Sequence, residues 1–439
     1  MRLDELKNRA DAFLGEAMQR GADEAEVGAS HRVVDRIVFE KNDFQLASSN
    51  TTLTFALEVH KDQCKGSAVT NETVGDALGA SADAAMTLAG FSLPDEHLCF
   101  PEAQKHDEVP GRFDAELQEL SPEKLRGFAA DFLAAGRHEK ISIDGAELQV
   151  TRELEAIVNS KGLVATDQAT QLSWVISGMG KTETEVTSFD WYGGNAWNWD
   201  GSKERSLADA DVFKDKLLRC FNPQKGQSYE GKVLLAPAVL GELIFGPLQF
   251  HISGRQIMDG KSRWEKELGK QVASDCLTLI DDPFDLDLFS AAPYDGEGVA
   301  KRRTPIIEKG MLKTHLDSTY SAKKRGTVST GHAGGMKGIS VAPGAASIDE
   351  LIAGTDKLVV VERFSGNLNP VTGDFSGVAK GSHWYEKGEY KHPLIETMIA
   401  GNFFDLVKNI VAVSNKADHY MNEYKSPWML VDGVSVTAS

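Results

Sequence analysis

Residues 236–250 read APAVLGELIFGPLQF, an apolar, helix-like run that carries one carboxylate, Glu242, with Gly241 directly before it and Gly246 four positions after it. A helical glutamate beside histidines can serve as the general base of a metal-dependent hydrolase. The imidazoles hold a divalent cation, the cation acidifies a bound water, and the carboxylate removes its proton. Gly241 and Gly246 have no donor to offer. None of the 11 histidines lies within one helical turn of Glu242, and H-E-x-x-H does not occur. Isolated histidines such as His332 and His383 therefore read as hydrogen-bonded or surface groups. On its own residues Glu242 reads as a helix position facing solvent, a cap or a subunit contact.

Other sites of possible chemistry fall short in the same way. A phosphate-binding P-loop needs a glycine five positions before its Gly-Lys-Ser/Thr, so that backbone amides can wrap the phosphates. Gly260–Ser262 has Arg255 there, and Gly180–Thr182 has Val175. The pair Gly296 and Gly298 lacks the third glycine of a dinucleotide fingerprint and reads as a turn between strands. No G-x-S-x-G serine elbow is present. Asp281, Asp282, Asp285 and Asp287 could bind a hard cation, but their spacing misses the EF-hand loop and Asp-Asp-Pro opens turns. The segment TGDFSG, Thr372 to Gly377, is glycine-rich; Thr372, Gly373, Asp374, Phe375 and Ser376 read as a turn or as a peptide contact.

The elements that would position these residues imply an α+β, two-lobed protein: an N-terminal α+β lobe of strands and amphipathic helices, and a C-terminal β-rich lobe with a few helices. Leu3, Leu6, Ala10, Phe13, Leu14 and Ala17 recur at helical spacing, with Gly21 as a stop. Strands follow over 24–40 and 51–69, then a helix over roughly 72–88. Residues 1–93 read as one α+β domain, 94–119 as a linker or long loop, 120–228 as a second α+β domain and 229–439 as the β-rich domain. Ser121 and Pro122 supply a cap and first-turn proline for a helix burying Leu125, Phe128, Phe132 and Leu133. A turn is predicted at Asn159 to Gly162, alternation at Leu172, Trp174 and Ile176 marks a strand, and Phe403, Leu406, Val407 and Ile410 form a late helical stripe.

With 439 residues and a formal charge of −18, the chain can bury a substantial core but would repel a phosphate backbone. The basic clusters 300–304 and 322–326 read as solvated surface, so no nucleic-acid partner is expected. There is no membrane-spanning run and no apolar signal core, so a cytoplasmic location is expected. Cys64, Cys99, Cys220 and Cys276 are far apart and read as free thiols.

Five ordered blocks carry a resemblance: YEGKVLLAPAVLGELI, SGRQIMDGKSRWEKELGKQVASDCLTLIDDP, YDGEGVAKRRTPIIEKGMLKTHLDSTYSAKKRGTVSTGHA, NPVTGDFSGVAKGSHWYEKGE and PLIETMIAGNFFDLVKNI. The chain resembles the TldD/PmbA family, also called modulators of DNA gyrase, and more closely its TldE (PmbA) branch. The N-terminal half fits more loosely, through VNSKG and GSAVTNETVGDALGASADAAMTLA. In the TldD branch the helix matching GELIFG reads H-E-x-x-x-H and supplies zinc ligands and a catalytic glutamate; that alignment places Gly241 and Gly246 at the two histidines. Five residues of α-helix turn through about 500°, leaving the ends roughly 140° apart, so gripping one ion would need a widened, π-like turn. The resemblance implies a non-catalytic subunit without a cofactor of its own, zinc being expected only in a TldD-type partner, in a metallopeptidase complex acting on extended or unfolded peptides. The alternatives are a stand-alone homodimer that binds a peptide or protein without cleaving it, and a hydrolase with an unrecognised metal-independent site.

Overall fold

The computed structural model describes residues 1–41, 43–72, 76–395 and 397–438. Its first helix, α1 (Leu3–Gln19), buries Leu6, Ala10, Phe13 and Ala17 completely, and Gly21 beyond its end takes the left-handed φ of +86° that glycine adopts without a Cβ penalty. Four residues of the predicted stripe are thus the buried face, while Leu3 and Leu14 at its margins are half-buried. Strands β1 (Glu24–Glu40), β2 (Asp43–Lys61), β3 (Cys64–Thr70), β4 (Ile141–Asn159), β5 (Val164–Gly180) and β6 (Asp190–Ala196) form one antiparallel sheet in the order β3-β2-β1-β4-β5-β6.

This sheet joins stretches that the sequence suggests as separate modules. β1 and β4 pair in register from Glu26↔Asn159 to Glu40↔Gly145, so 1–93 and 120–228 share a backbone ladder. α1 and α2 (Ala77–Ala89) cover one end of the sheet around Phe13, Phe55 and Leu57. The helix expected over roughly 72–88 is observed from Ala77; Glu72 is not helical, and 73–75 lie outside the described residues. A short α3 (Ala115–Gln118) precedes α4 (Pro122–Gly136), which carries the expected cap: Ser121 Oγ accepts from Lys124 N at 3.2 Å. α4 packs beside α5 (Trp199–Leu218) over Phe128, Phe132, Leu148 and Trp174.

α5 escapes sequence reading. Its buried stripe is Trp199, Ser202, Ser206, Ala210, Phe213 and Leu217, and serines on the inward face erase the apolar periodicity that marks a helix. β2 also begins eight residues before its expected start at Thr51, because the 17-residue β1 templates it as far as Glu40↔Asp43. The stretch 94–112 runs as a strap against the C-terminal lobe. Tyr320 donates its hydroxyl hydrogen to Asp95 at 2.7 Å, Lys323 Nζ donates to Leu98 O at 2.8 Å, and His106 Nε2 donates to Gly298 O at 2.8 Å.

The second sheet has 13 strands. They are β7 (Tyr229–Leu235), β8 (Leu279–Asp281), β9 (Thr304–Glu308), β10 (Met311–Leu312), β11 (Ile339–Val341), β12 (Lys357–Val361), β13 (Arg363–Leu368), β14 (Asp374–Lys380), β15 (His383–Glu386), β16 (Glu389–Pro393), β17 (Thr397–Asn402), β18 (Ile410–Tyr420) and β19 (Tyr424–Ala438). β19 is its organiser, pairing with β7, β11, β17 and β18. The core beneath it contains Val233, Leu235, Leu243, Ile244, Leu248, Trp264, Val359 and Phe403. The predicted helix after Asn402 is present as Phe403–Lys408, and Asn402 Oδ1 caps it. No helix among the described residues is long and apolar enough to cross a membrane.

Candidate functional site

The stretch around Glu242 is helical but not uniformly so. α6 (Pro237–Leu240) runs into a π-helical turn, Gly241–Phe245, and continues as α7 (Gly246–Ile252). Gly246 N donates to Gly241 O, five positions back. Pro247 supplies a cause in the sequence: it has no N–H for the carbonyl of Leu243, and its ring crowds that carbonyl, so the ladder opens by one residue. Leu243, Ile244 and Leu248 are fully buried and keep the widened turn seated on the core. The turn that two-histidine ligation would require is therefore built here, with glycine at both of its ends.

The side of the turn at Gly241 is filled by another residue. Tyr424, at the start of β19, places its hydroxyl so that it accepts from Gly241 N at 3.3 Å and donates to Pro237 O at 2.9 Å. A Cβ at Gly241 would meet Tyr424 Oη at 3.0 Å and Cε1 at 3.2 Å. The ring is buried and packs edge-on against Phe245 at 4.9 Å, and burial pushes the phenol above its ordinary range. At Gly246 a Cβ would meet Gly241 O at 3.2 Å. Gly246 borders a 560 Å³ cavity lined also by Gln249, Phe250, Ser253 and Gly335.

Glu242 itself is exposed. Partial desolvation raises its carboxyl above the ordinary glutamate range, while the Arg363 guanidinium pulls the other way. Arg363 opens β13 and is buried across the lobe boundary: its guanidinium lies 4.8 Å from the Trp191 ring centroid, Nη1 reaches Asp190 Oδ1 at 3.3 Å, and Nη2 donates to Phe189 O. Glu242 thus faces a seam between β6 of one lobe and β13 of the other. The next histidine along, His251, is fully buried among Trp264, Phe403 and Phe404. Its Nδ1 accepts from Arg263 N at 3.2 Å, and burial lowers it to about 4, so it is neutral and walled in.

These donors do not fit a zinc ion. The turn offers one carboxylate and two glycines, and among the described residues no group of three His, Cys, Asp or Glu side chains is gathered to hold a metal. Asp281, Asp282, Asp285 and Asp287 are committed elsewhere. Asp281 contacts His332 Nε2 at 2.8 Å and accepts from Lys337 N at 3.1 Å; Asp282 accepts from Arg303 Nε at 2.9 Å; Asp285 caps Asp287 N at 2.9 Å; Asp287 pairs with Arg205 at 2.6 Å. His383 is buried beside Glu362 at 3.8 Å.

The TGDFSG segment is only partly the expected turn: Thr372 and Gly373 close the β13–β14 hairpin, while Asp374, Phe375, Ser376 and Gly377 already belong to β14. Gly373 takes φ +85°, Asp374 Oδ1 accepts from Asn402 Nδ2 at 2.8 Å, and Phe375 packs on Phe364 with centroids 6.1 Å apart. Gly366 and Gly377 face each other so closely that a Cβ on one would lie 2.5 Å from the other's Cα, with the Phe364 ring against both. Thr372, Asp374 and Ser376 are at least partly exposed. β13 pairs only with β14 among the described residues, so its other edge is open. That strand starts beside Glu242 and ends at the TGDFSG turn.

Sequence reading missed Tyr424, Arg363 and Trp191, whose roles arise from contacts far apart in the chain: 183 residues separate Gly241 from Tyr424. It also missed the β18–β19 turn. Met421 and Asn422 both take positive φ, 49° and 58°, and Asn422 Oδ1 accepts from Asn195 N at 2.9 Å, docking the hairpin on β6. Behind this contact lies an interlobe cavity of 630 Å³ bordered by Tyr192, Asp209, Lys216, Glu362, His383 and Tyr420. Burial raises the Asp209 carboxyl to about 7, against the Trp174 indole N–H that donates to it at 2.8 Å.

The PmbA/TldA metallopeptidase C-terminal domain matches residues 228–438. The chain is 29% identical to the metalloprotease PmbA homolog of Haemophilus influenzae, covering 83% of this chain and 82% of that one. It is 28% identical to metalloprotease PmbA of Escherichia coli O157:H7 over 91% and 89% of the two chains. The fold superposes on the crystal structure of TldE from Thermococcus kodakarensis with a TM-score of 0.84 at 23% identity, covering 98% of this chain and 100% of that one. Residues 228–438 therefore carry a PmbA/TldD-family C-terminal domain, and the chain as a whole is similar to PmbA proteins over most of its length.

Proposed function

We propose that this protein is a non-catalytic, TldE/PmbA-like subunit of a metallopeptidase complex, in which a TldD-type partner carries the zinc and this chain shapes the cleft that holds an extended peptide. The observation that carries the reading is the sealed π-turn. Gly241 and Gly246 contribute no ligand, and the Tyr424 ring stands within 3.0–3.4 Å of where a Cβ at 241 would lie. Without an imidazole-held cation there is no acidified water, and Glu242 has no proton to remove. The open edge of β13 beside Glu242 suits the holding role, because main-chain hydrogen bonds to an edge strand grip a peptide largely independently of its sequence. Co-expression with a TldD-type chain, followed by an assay on an unstructured peptide, tests the reading. Degradation should depend on both chains; equal degradation by the zinc-bearing chain with and without this protein would overturn it.

A further inference from the structure

The interlobe cavity behind the β18–β19 turn has a charge balance that the protein's own side chains leave incomplete. Its volume of 630 Å³ suits a small organic molecule. The lysine and arginine side chains on its wall are all engaged. Arg205 holds Asp287 at 2.6 Å, Arg219 holds Glu362 at 2.8 Å, and Lys216 lies 3.6 Å from Asp190. Asp209 has no such partner. Its Oδ2 accepts from the Trp174 indole N–H at 2.8 Å, while Oδ1 has neither a hydrogen bond nor an ion pair among the described residues. The hydroxyls of Tyr192, Tyr385 and Tyr420, which also border the cavity, have no partner among those residues either, and burial keeps all three phenols protonated.

We propose that this cavity binds a primary amine with an apolar body, its ammonium on Asp209 and its body against Ile348, Ile352 and Trp428. Charge selects the head group. An ammonium completes the carboxylate with a charge-assisted hydrogen bond, a neutral group leaves a desolvated charge unpaired, and an anion faces it directly. The aromatic walls favour the same sign, because ring faces attract cations. The cavity already shows this arrangement once: Lys216 Nζ stands 5.6 Å from the Tyr192 ring centroid, and Tyr420 meets that ring edge to face at 6.4 Å. The body is selected by the other wall. Ile352 belongs to a small apolar cluster with Leu234 and Leu358, and Ile348, Tyr385 and Trp428 pack on it. Ile348 and Trp428 are only half-buried, so apolar surface there stays uncovered. The proposal needs neither zinc nor a partner subunit and goes beyond the subunit reading above.

Isothermal titration of the full chain at pH 8, where Asp209 is ionised, tests this with 2-phenylethylamine, 2-phenylethanol and phenylacetate as probes. The amine should bind at least about ten-fold more tightly than the alcohol or the acid. Asp209→Asn keeps an acceptor for Trp174 and should weaken the amine about ten-fold while leaving the alcohol unchanged. Ile348→Trp, at a half-buried position, fills the apolar side and should abolish binding of both; it keeps the test decisive if circular dichroism shows that Asp209→Asn does not fold. Phenylalaninamide distinguishes the source of the ammonium: tighter binding than the bare amine assigns the site to the amino end of a peptide, weaker binding to a free amine, and either supports the proposal. No binding of any of the amines at millimolar concentration, equal binding of amine and alcohol, or amine binding indifferent to Asp209→Asn or to Ile348→Trp would overturn it.

Discussion

Replacing Gly241 by alanine puts a methyl group 3.0 Å from Tyr424 Oη and 3.2 Å from its Cε1, and the energy of that contact can be isolated with a second substitution. On an open helix the change would gain about 0.8–1 kcal/mol of propensity. Here the methyl must push a buried ring that is hydrogen-bonded to Gly241 N and Pro237 O, and overpacking of this kind costs about 1–3 kcal/mol. Gly241→Ala should therefore destabilise the turn by about 1 kcal/mol. Tyr424→Phe should cost about 1–2 kcal/mol, because Pro237 O loses a donor and Gly241 N an acceptor. In the Phe background the nearest atom is gone and alanine should be close to neutral, leaving a coupling of about 1 kcal/mol between the two positions. Native-state hydrogen exchange on peptides spanning 237–250 reads this as a roughly five-fold departure from additive protection. Additivity within about 0.3 kcal/mol would refute the claim that Tyr424 occupies the side-chain space at 241.

Three further outcomes follow from other parts of the fold. Asp209 titrates near 7 in the folded chain because it is desolvated. Its folded state holds the proton more tightly than the unfolded one, so stability is full below the ordinary aspartate range and is lost as pH rises through about 7. Asp209→Asn, which can still accept from Trp174, should flatten the fall in thermal midpoint between pH 5 and 8, with an upper bound on the order of 3 kcal/mol over that window; parallel curves would contradict this. Met421 sits at φ 49°, a conformation asparagine tolerates better, so Met421→Asn should raise the thermal midpoint by an amount worth about 0.5–1 kcal/mol. Asp317 is buried and accepts from Arg325 Nη1 at 2.7 Å, Ser321 Oγ at 2.8 Å and Thr327 Oγ1 at 3.0 Å. Asp317→Ala strands the guanidinium and should cost about 3–5 kcal/mol in urea unfolding.

Much of the architecture is legible where local chemistry sets it. Ser121 and Pro122 announce α4, and Asn159 to Gly162 turns as expected, with Gly162 at φ +82°. Leu172, Trp174 and Ile176 alternate into the core. The expected two-lobed α+β architecture corresponds to the two sheets. What stays hidden is set by partners distant in sequence. α5 turns serines inward because α4 and β5 sit close on that face, and 43–50 become strand because β1 templates them. Arg325, in a cluster expected to be solvated, anchors buried Asp317. At the site, the absent imidazoles are readable from Gly241 and Gly246, and the widened turn has a visible source in Pro247. The Tyr424 seal is not readable, since nothing in DHYMNEYKS announces a hydroxyl destined for a helix 183 residues away.

The central claim is that this chain contributes no metal-dependent chemistry of its own. Elemental analysis of the purified protein, alone and then with a TldD-type partner, with peptide turnover followed on the same samples, tests it most directly. The account predicts negligible zinc and no turnover for the chain alone, with both arising only when the partner is present. Stoichiometric zinc bound to this chain by itself, with turnover abolished by a chelator, restored by zinc and lost in Glu242→Gln, would contradict it.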